Sequence, residues 1–172
     1  MAKLDEFAVT RVCLDQSTCL KTRTAAGIFR NGEWLSAGAN LCAPHGLTHG
    51  DIVLDCPRMN LKTGGQYELC KPVHAEVLAC LGIRRNRNPE ELARFAGHLE
   101  PTEEEILAAF TKAELDQLRG ATLYLVGHYY ACDNCVRFCR TVGITDIRFD
   151  QVSAEQVRTR YEADGLTKDT VH

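Results

Sequence analysis

No stretch of this 172-residue chain approaches the roughly 18 to 20 consecutive apolar residues that a membrane-spanning helix requires, so no membrane partner is expected. The start, Met1-Ala-Lys-Leu-Asp-Glu6, lacks the basic-then-apolar layout of an export signal, and a cytoplasmic location is the expectation. Charge of one sign is also missing: 20 Lys and Arg against 23 Asp and Glu leave a net −3. That is too little positive charge to hold a polyanion through its phosphates, so no stable nucleic-acid partner is expected. There is no internal repeat and no low-complexity run. With 45% hydrophobic and 25% charged residues, the composition is that of a globular protein, and the length suits a single domain over residues 1–172.

What the chain has in unusual supply is cysteine, nine in all. An odd count without an export signal makes a poor disulfide framework. The alternatives are metal ligation, catalysis or burial as small hydrophobes.

Local signals order the chain. Apolar Leu4, Phe7, Ala8, Val12 and Cys13 at helical spacing predict a helix ending near Ser17-Thr18. Asn31-Gly32 between Ala25–Arg30 and Glu33–Ala39 predicts a strand, a tight turn and a strand. Residues 41–73 keep neither period and are rich in glycine and proline, which predicts a long loop insertion; it contains Cys42, His45, His49, Cys56 and Cys70. A helix starts near His74. Asn88-Pro89 is an N-cap followed by a first-turn proline, and Thr102-x-x-Glu105 and Thr111-x-x-Glu114 are capping boxes, so residues 102–118 form one helix or two short ones. Ala121–Val126 is an apolar run expected to be a buried strand. Cys132–Val142 reads as a helix, Asp146–Phe149 as a strand, and Ser153-x-x-Gln156 as the cap of a terminal helix. Later strands alternate with helices, so the expected fold class is α/β: a three-layer α/β/α sandwich around a mixed, mostly parallel sheet of about five strands.

Two segments carry chemistry: His74-Ala75-Glu76 and Cys132-Asp-Asn-Cys135, each opening a helix. Cysteines at i and i+3 project to one side, and the helix N-terminus favours their thiolates. One imidazole and two thiolates are three zinc ligands, leaving the fourth tetrahedral position to water, whose pKa zinc lowers toward neutrality. Glu76 is close enough in sequence to His74 to handle that water's protons without being a ligand.

His-x-Glu followed by Cys-x-x-Cys resembles the signature of zinc nucleobase deaminases. The chain resembles the cytidine and deoxycytidylate deaminase superfamily, nearest the deoxycytidylate (dCMP) branch. Beyond the zinc motif, Thr18-Cys-Leu-Lys-Thr-Arg-Thr-Ala-Ala-Gly-Ile-Phe29 is similar to that branch's first strand and Leu35-Ser-Ala-Gly-Ala-Asn40 to its second. Cys70-Lys-Pro-Val-His-Ala-Glu-Val77, Ala121 through Cys135 and Gly143-Ile-Thr-Asp-Ile147 follow in the family's order. The resemblance implies a hydrolase that converts a cytosine nucleotide, dCMP, to dUMP and ammonia. It implies catalytic Zn2+ on His74, Cys132 and Cys135, with Glu76 moving protons to ring nitrogen and leaving group. It also implies base contact at Ala75, sugar contact at Asn40, and a homo-oligomer. Arg23 and Lys21 are candidates for a phosphate, and Tyr130 for the substrate-facing edge. The alternatives are deamination of another base or nucleoside, and a non-catalytic zinc module.

Two departures stand out. Ala131, preceded by Tyr129-Tyr130, replaces the family's proline. In addition, 55 residues separate Glu76 from Cys132, which suggests a helical insertion near 84–118. Some members of the branch brace the long loop with a second, structural zinc. His49, Cys56 and Cys70 lie in that stretch, with Cys19 or Cys42 as a fourth ligand; otherwise these are free thiols. Cys13, Cys80 and Cys139 are expected in the core, and His98, His128 and His172 as surface or satisfied groups.

Overall fold

The computed structural model describes residues 5–42, 56, 58–61, 69–70, 72–96 and 99–165. Helix α1 spans Glu6–Val12 and runs into a 3-10 turn at Cys13–Gln16, so the helical segment is capped by Asp5 and stops slightly short of Ser17. Strands β1 (Ala25–Arg30) and β2 (Glu33–Ala39) form the hairpin. Asn31 and Gly32 both have positive φ (54° and 80°), the left-handed pair that a two-residue turn matched to strand twist demands. Helix α2 is Ala75–Leu81, α3 Pro89–Ala93, α4 Glu103–Ala108 and α5 Lys112–Leu118. The stretch 102–118 is therefore two helices, and both capping boxes are made in full. Strand β3 (Thr122–Val126), helix α6 (Asp133–Thr141), strand β4 (Asp146–Phe149) and helix α7 (Gln151–Ala163) complete the order. The cap of α7 is Asp150, whose side chain accepts from the Ser153 N–H, rather than Ser153 itself. Ser153 is turned elsewhere: its hydroxyl accepts the Gly127 N–H at 2.9 Å and ties α7 to the end of β3.

The sheet corrects the expected fold class. Among the described residues it has four strands, not about five, in the order β2-β1-β3-β4. It is mostly antiparallel: β1 runs antiparallel to both β2 and β3, and only β3 and β4 are parallel. The reason lies in where the crossover lands. The chain leaves β2 through α2 and returns as β3 on the far side of β1, so β2 and β3 point the same way but never touch. Helices alternating with strands indicate direction, not adjacency. The hairpin partner β1, inserted between them, turns both of its pairings antiparallel.

Helices cover both faces. Ala26 and Ile28 of β1 and Leu123 and Leu125 of β3 pack with α2 and α6 in the main core. The alternate positions face α1, where Phe29 and Tyr124 meet at 5.3 Å and Phe7 stacks edge-on to Tyr124 at 5.0 Å. All seven residues of α2 are buried. The helix sits so tightly on β2 that a Cβ at Gly38 would lie 2.4 Å from the Ala79 nitrogen, and Ser36 donates to the Ala79 carbonyl at 2.7 Å. Contact this close is how the fold fixes the helix that begins with His74. No helix among the described residues is long and apolar enough to cross a membrane.

Candidate metal centre

His74 and Cys132 occupy equivalent places: each is the N-cap of its helix, α2 or α6, in extended backbone geometry, and neither side chain makes a capping bond. N-caps are normally Ser, Thr, Asp or Asn, and replacing one by a non-capping residue costs about 1 kcal/mol. Residues that decline the cap at both helices leave their side chains for another task. In the fold α2 and α6 pack together on one face of the sheet, which brings the two caps to one point.

There His74 Nδ1 lies 3.2 Å from Cys135 Sγ and 3.5 Å from Cys132 Sγ, and all three ligand atoms fall within 4.8 Å of one another. Zinc–nitrogen and zinc–sulfur bonds of ordinary length set at the tetrahedral angle put N and S about 3.5 Å apart. The donor set and the spacing therefore fit zinc, and the cluster is a candidate zinc site compatible with the zinc-deaminase superfamily. Electrostatics agree with a site built for a cation. Cys132 is pulled down to about 4, first by its hydrogen bond from Cys135 and then by His74, while Cys135 is pushed well up by the same bond and by burial. Burial alone would lower His74, but the bond with Cys132 and the charge of Glu76 outweigh it and raise the imidazole.

Glu76, second residue of α2, is buried at 5% exposure beside the cluster. Burial raises its pKa against the opposing pull of His74. Ala75, between them, is fully buried.

The other residues singled out from sequence fall in different places. Asn40 is buried, but its side chain is taken up within the chain: Oδ1 accepts from Ser17 Oγ at 2.5 Å and Thr24 N at 2.9 Å, and Nδ2 donates to the Thr22 carbonyl at 2.9 Å. Arg23 is paired with Asp15 at 3.6 Å, and Lys21 donates to the Arg58 and Leu61 carbonyls. Among the described residues His74, Cys132 and Cys135 are the one group of three or more metal-capable side chains; Cys19, Cys56 and Cys70 do not form another, and His49 lies outside the described residues. All nine cysteines are free thiols. Cys13, Cys80 and Cys139 are buried, the last two with sulfurs 3.9 Å apart.

His128, expected as a surface or satisfied group, is a satisfied one. With Tyr129, Tyr130 and Tyr161 of α7 it forms a four-ring cluster, 4.5 Å from Tyr130 edge-on and 5.5 Å from Tyr129 in a stack. Nε2 lies 3.3 Å from the Tyr161 hydroxyl. Nothing in its spacing signals this, because the partner on α7 is 33 residues away. A groove of about 290 Å³ beside the cluster, lined by Tyr129, Tyr130, Val136, Arg140, Ile147 and Phe149, holds none of the metal-capable residues.

Burial, then the charges of His74 and Arg160, lower His128 to about 4. A base whose folded pKa is depressed binds fewer protons than the unfolded chain between the two values, so stability falls as pH drops from about 6.5 toward 4. Because the ring keeps some contact with solvent, this amounts to about 1–2 kcal/mol. Denaturant unfolding of the wild type and His128→Asn across that range is expected to show the acid slope flattened in the variant; identical slopes would assign it to other groups.

Compared with models of known protein families and with curated proteins, the sequence matches none. The cluster geometry and the resemblance therefore carry the functional reading.

Proposed function

We propose that this chain is a zinc-dependent hydrolytic deaminase acting on a cytosine nucleotide, with dCMP to dUMP plus ammonia as the reaction. The observation that carries the reading is the meeting of His74, Cys132 and Cys135 from two helix starts, with a buried carboxyl, Glu76, beside them. A purely structural zinc site closes with four protein ligands, and a buried acid next to three has no bracing role.

Bound zinc supplies Lewis acidity and makes water reactive near neutral pH. The chain's own groups do the rest. Glu76, its proton affinity raised by burial, takes a proton from the attacking water, delivers it to the ring nitrogen N3, and carries a second to the departing amine. The close seat of α2 on Gly38 fixes against β2 the helix that carries both His74 and this carboxyl. The ring cluster around His128 and Tyr130 packs against Cys132, and aromatic faces of this kind suit a planar base. Support for an anionic substrate comes from Lys21, Arg58 and Arg160. The three lie together: Lys21 donates to the Arg58 carbonyl, and Arg160 donates to the Lys21 carbonyl and to Thr22 Oγ1.

The test is ammonia release by the zinc-loaded chain on a panel of cytosine, cytidine, deoxycytidine, CMP, dCMP and representative purines. Turnover is expected with the pyrimidine nucleotides foremost. Turnover confined to another base would move the substrate assignment, and none with any member would remove the deaminase reading.

A further inference from the structure

Strand β4 ends the sheet, and among the described residues no strand pairs with its outer edge. Asp150 N donates to the Leu125 carbonyl at 3.0 Å, which continues the pairing of β4 with β3. Backbone groups alternate sides along a strand. Asp146 and Arg148 therefore face β3 as Asp150 does, and the N–H and C=O groups of Ile147 and Phe149 point outward. Among the described residues these outward groups have one partner, the Gln151 side-chain amide, 3.4 Å from the Phe149 carbonyl. Side chains alternate as well. Ile147 and Phe149 are half-buried and line, with Val136 and Arg140 of α6, the groove of about 290 Å³. Asp146 and Arg148 lie on the other face, where Arg148 sits over the Tyr124 ring. They pair with each other at 2.9 Å and stay 47% and 56% exposed.

Edges kept from pairing carry lysine, proline or a bulge. Strand β4 has none of these; it carries one charge of each sign, two residues apart. We propose that this edge is a self-association surface, on which a second copy of the chain pairs β4 with β4 about a two-fold axis at Ile147, joining two four-stranded sheets into one of eight.

A two-fold axis makes the two strands antiparallel, with the same patch used on both copies. Outward groups must meet outward groups, so successive registers differ by two residues, and charge chooses among them. With the axis at Ile147, each Ile147 N–H donates to the Ile147 carbonyl of the other copy. Asp146 of each copy then lies opposite Arg148 of the other, two unlike cross-strand pairs that favour the pairing. The two Ile147 side chains meet on the groove side and leave water together. Moving the axis to Arg148 opposes Arg148 to Arg148 and Asp146 to Asp150. Moving it to Asp146 opposes Asp146 to Asp146. Only the Ile147 register is self-complementary. None of this depends on the deaminase reading.

The test is sedimentation equilibrium of the zinc-loaded full chain over a concentration series, with hydrogen exchange of the β4 amides over the same range. The mass is expected to climb from 19.1 kDa toward twice that value, and exchange at Ile147 to slow as it does. D146R leaves two cations on the edge and R148D two carboxylates, so each alone is expected to weaken association about tenfold or more. An equimolar mixture of the two sets unlike charges opposite again and is expected to recover it. The wild-type exchange series needs no substitution, so an unstable variant leaves it decisive. A monomer at every concentration would overturn the proposal, as would exchange at Ile147 that ignores concentration. A dimer indifferent to both substitutions, or a mixture of folded variants that stays monomeric, would overturn it equally.

Discussion

Replacement of Glu76 by glutamine is expected to cut ammonia release by about 10²–10⁴-fold while zinc content stays at the wild-type level. Glutamine matches the volume, so the packing of α2 is undisturbed; what disappears is a group that can gain and lose a proton. The same change should leave the unfolding midpoint unchanged or slightly raised. Glu76 is buried at 5% exposure with its pKa pushed up by burial, so its charged form costs folding energy that the amide does not. Activity and stability then move in different directions, as expected of a group kept for chemistry. Unchanged turnover would exclude Glu76 from proton transfer. Loss of zinc together with turnover would instead make it part of the metal's seat.

The second large effect concerns a residue that touches no reacting atom. Gly38→Ala is expected to destabilise the fold by about 2–3 kcal/mol, read as a lower denaturant midpoint, because a methyl there has nowhere to go. Its Cβ would stand 2.4 Å from Ala79 N, 2.5 Å from the Leu78 carbonyl carbon and 2.6 Å from Leu78 Cβ, so no flexible side chain can simply swing away from the two backbone contacts. The helix has to move as a body, and His74 and Glu76 move with it. A displacement of even part of an ångström opens the 3.2 and 3.5 Å spacings between His74 and the two sulfurs, so weaker zinc retention should accompany the lost stability. Wild-type stability together with wild-type zinc affinity would show that α2 is free to adjust and that its close seat on β2 does not set the metal spacing.

Some of this protein was legible before any coordinates. The Asn31-Gly32 turn, the capping boxes at Thr102 and Thr111, the Asn88-Pro89 start and the apolar run ending at Val126 rest on dihedral preferences and hydrogen bonds among residues a few positions apart. Such interactions are complete within a short segment, so the segment's own residues decide them. The metal-capable residues were legible in kind for the same reason: two cysteines at i and i+3 share a side of any helix they open. Where two local choices competed, sequence alone picked wrongly. Asp150 and Ser153 can both cap α7, and the choice went to Asp150 because Ser153 has a distant partner in the Gly127 N–H.

Only the tertiary structure decided the rest, because it depends on which surfaces bury each other across long stretches of chain. The hairpin strand β1 lies between β2 and β3, and that single placement makes a sheet expected to be mostly parallel mostly antiparallel. The packing of α2 on α6 brings His74 to cysteines 58 and 61 residues away. The same kind of long-range closure sets His128 against Tyr161 of α7. Residue types and spacings determined what chemistry this chain can hold; the burial of apolar faces against one another determined which of those groups meet.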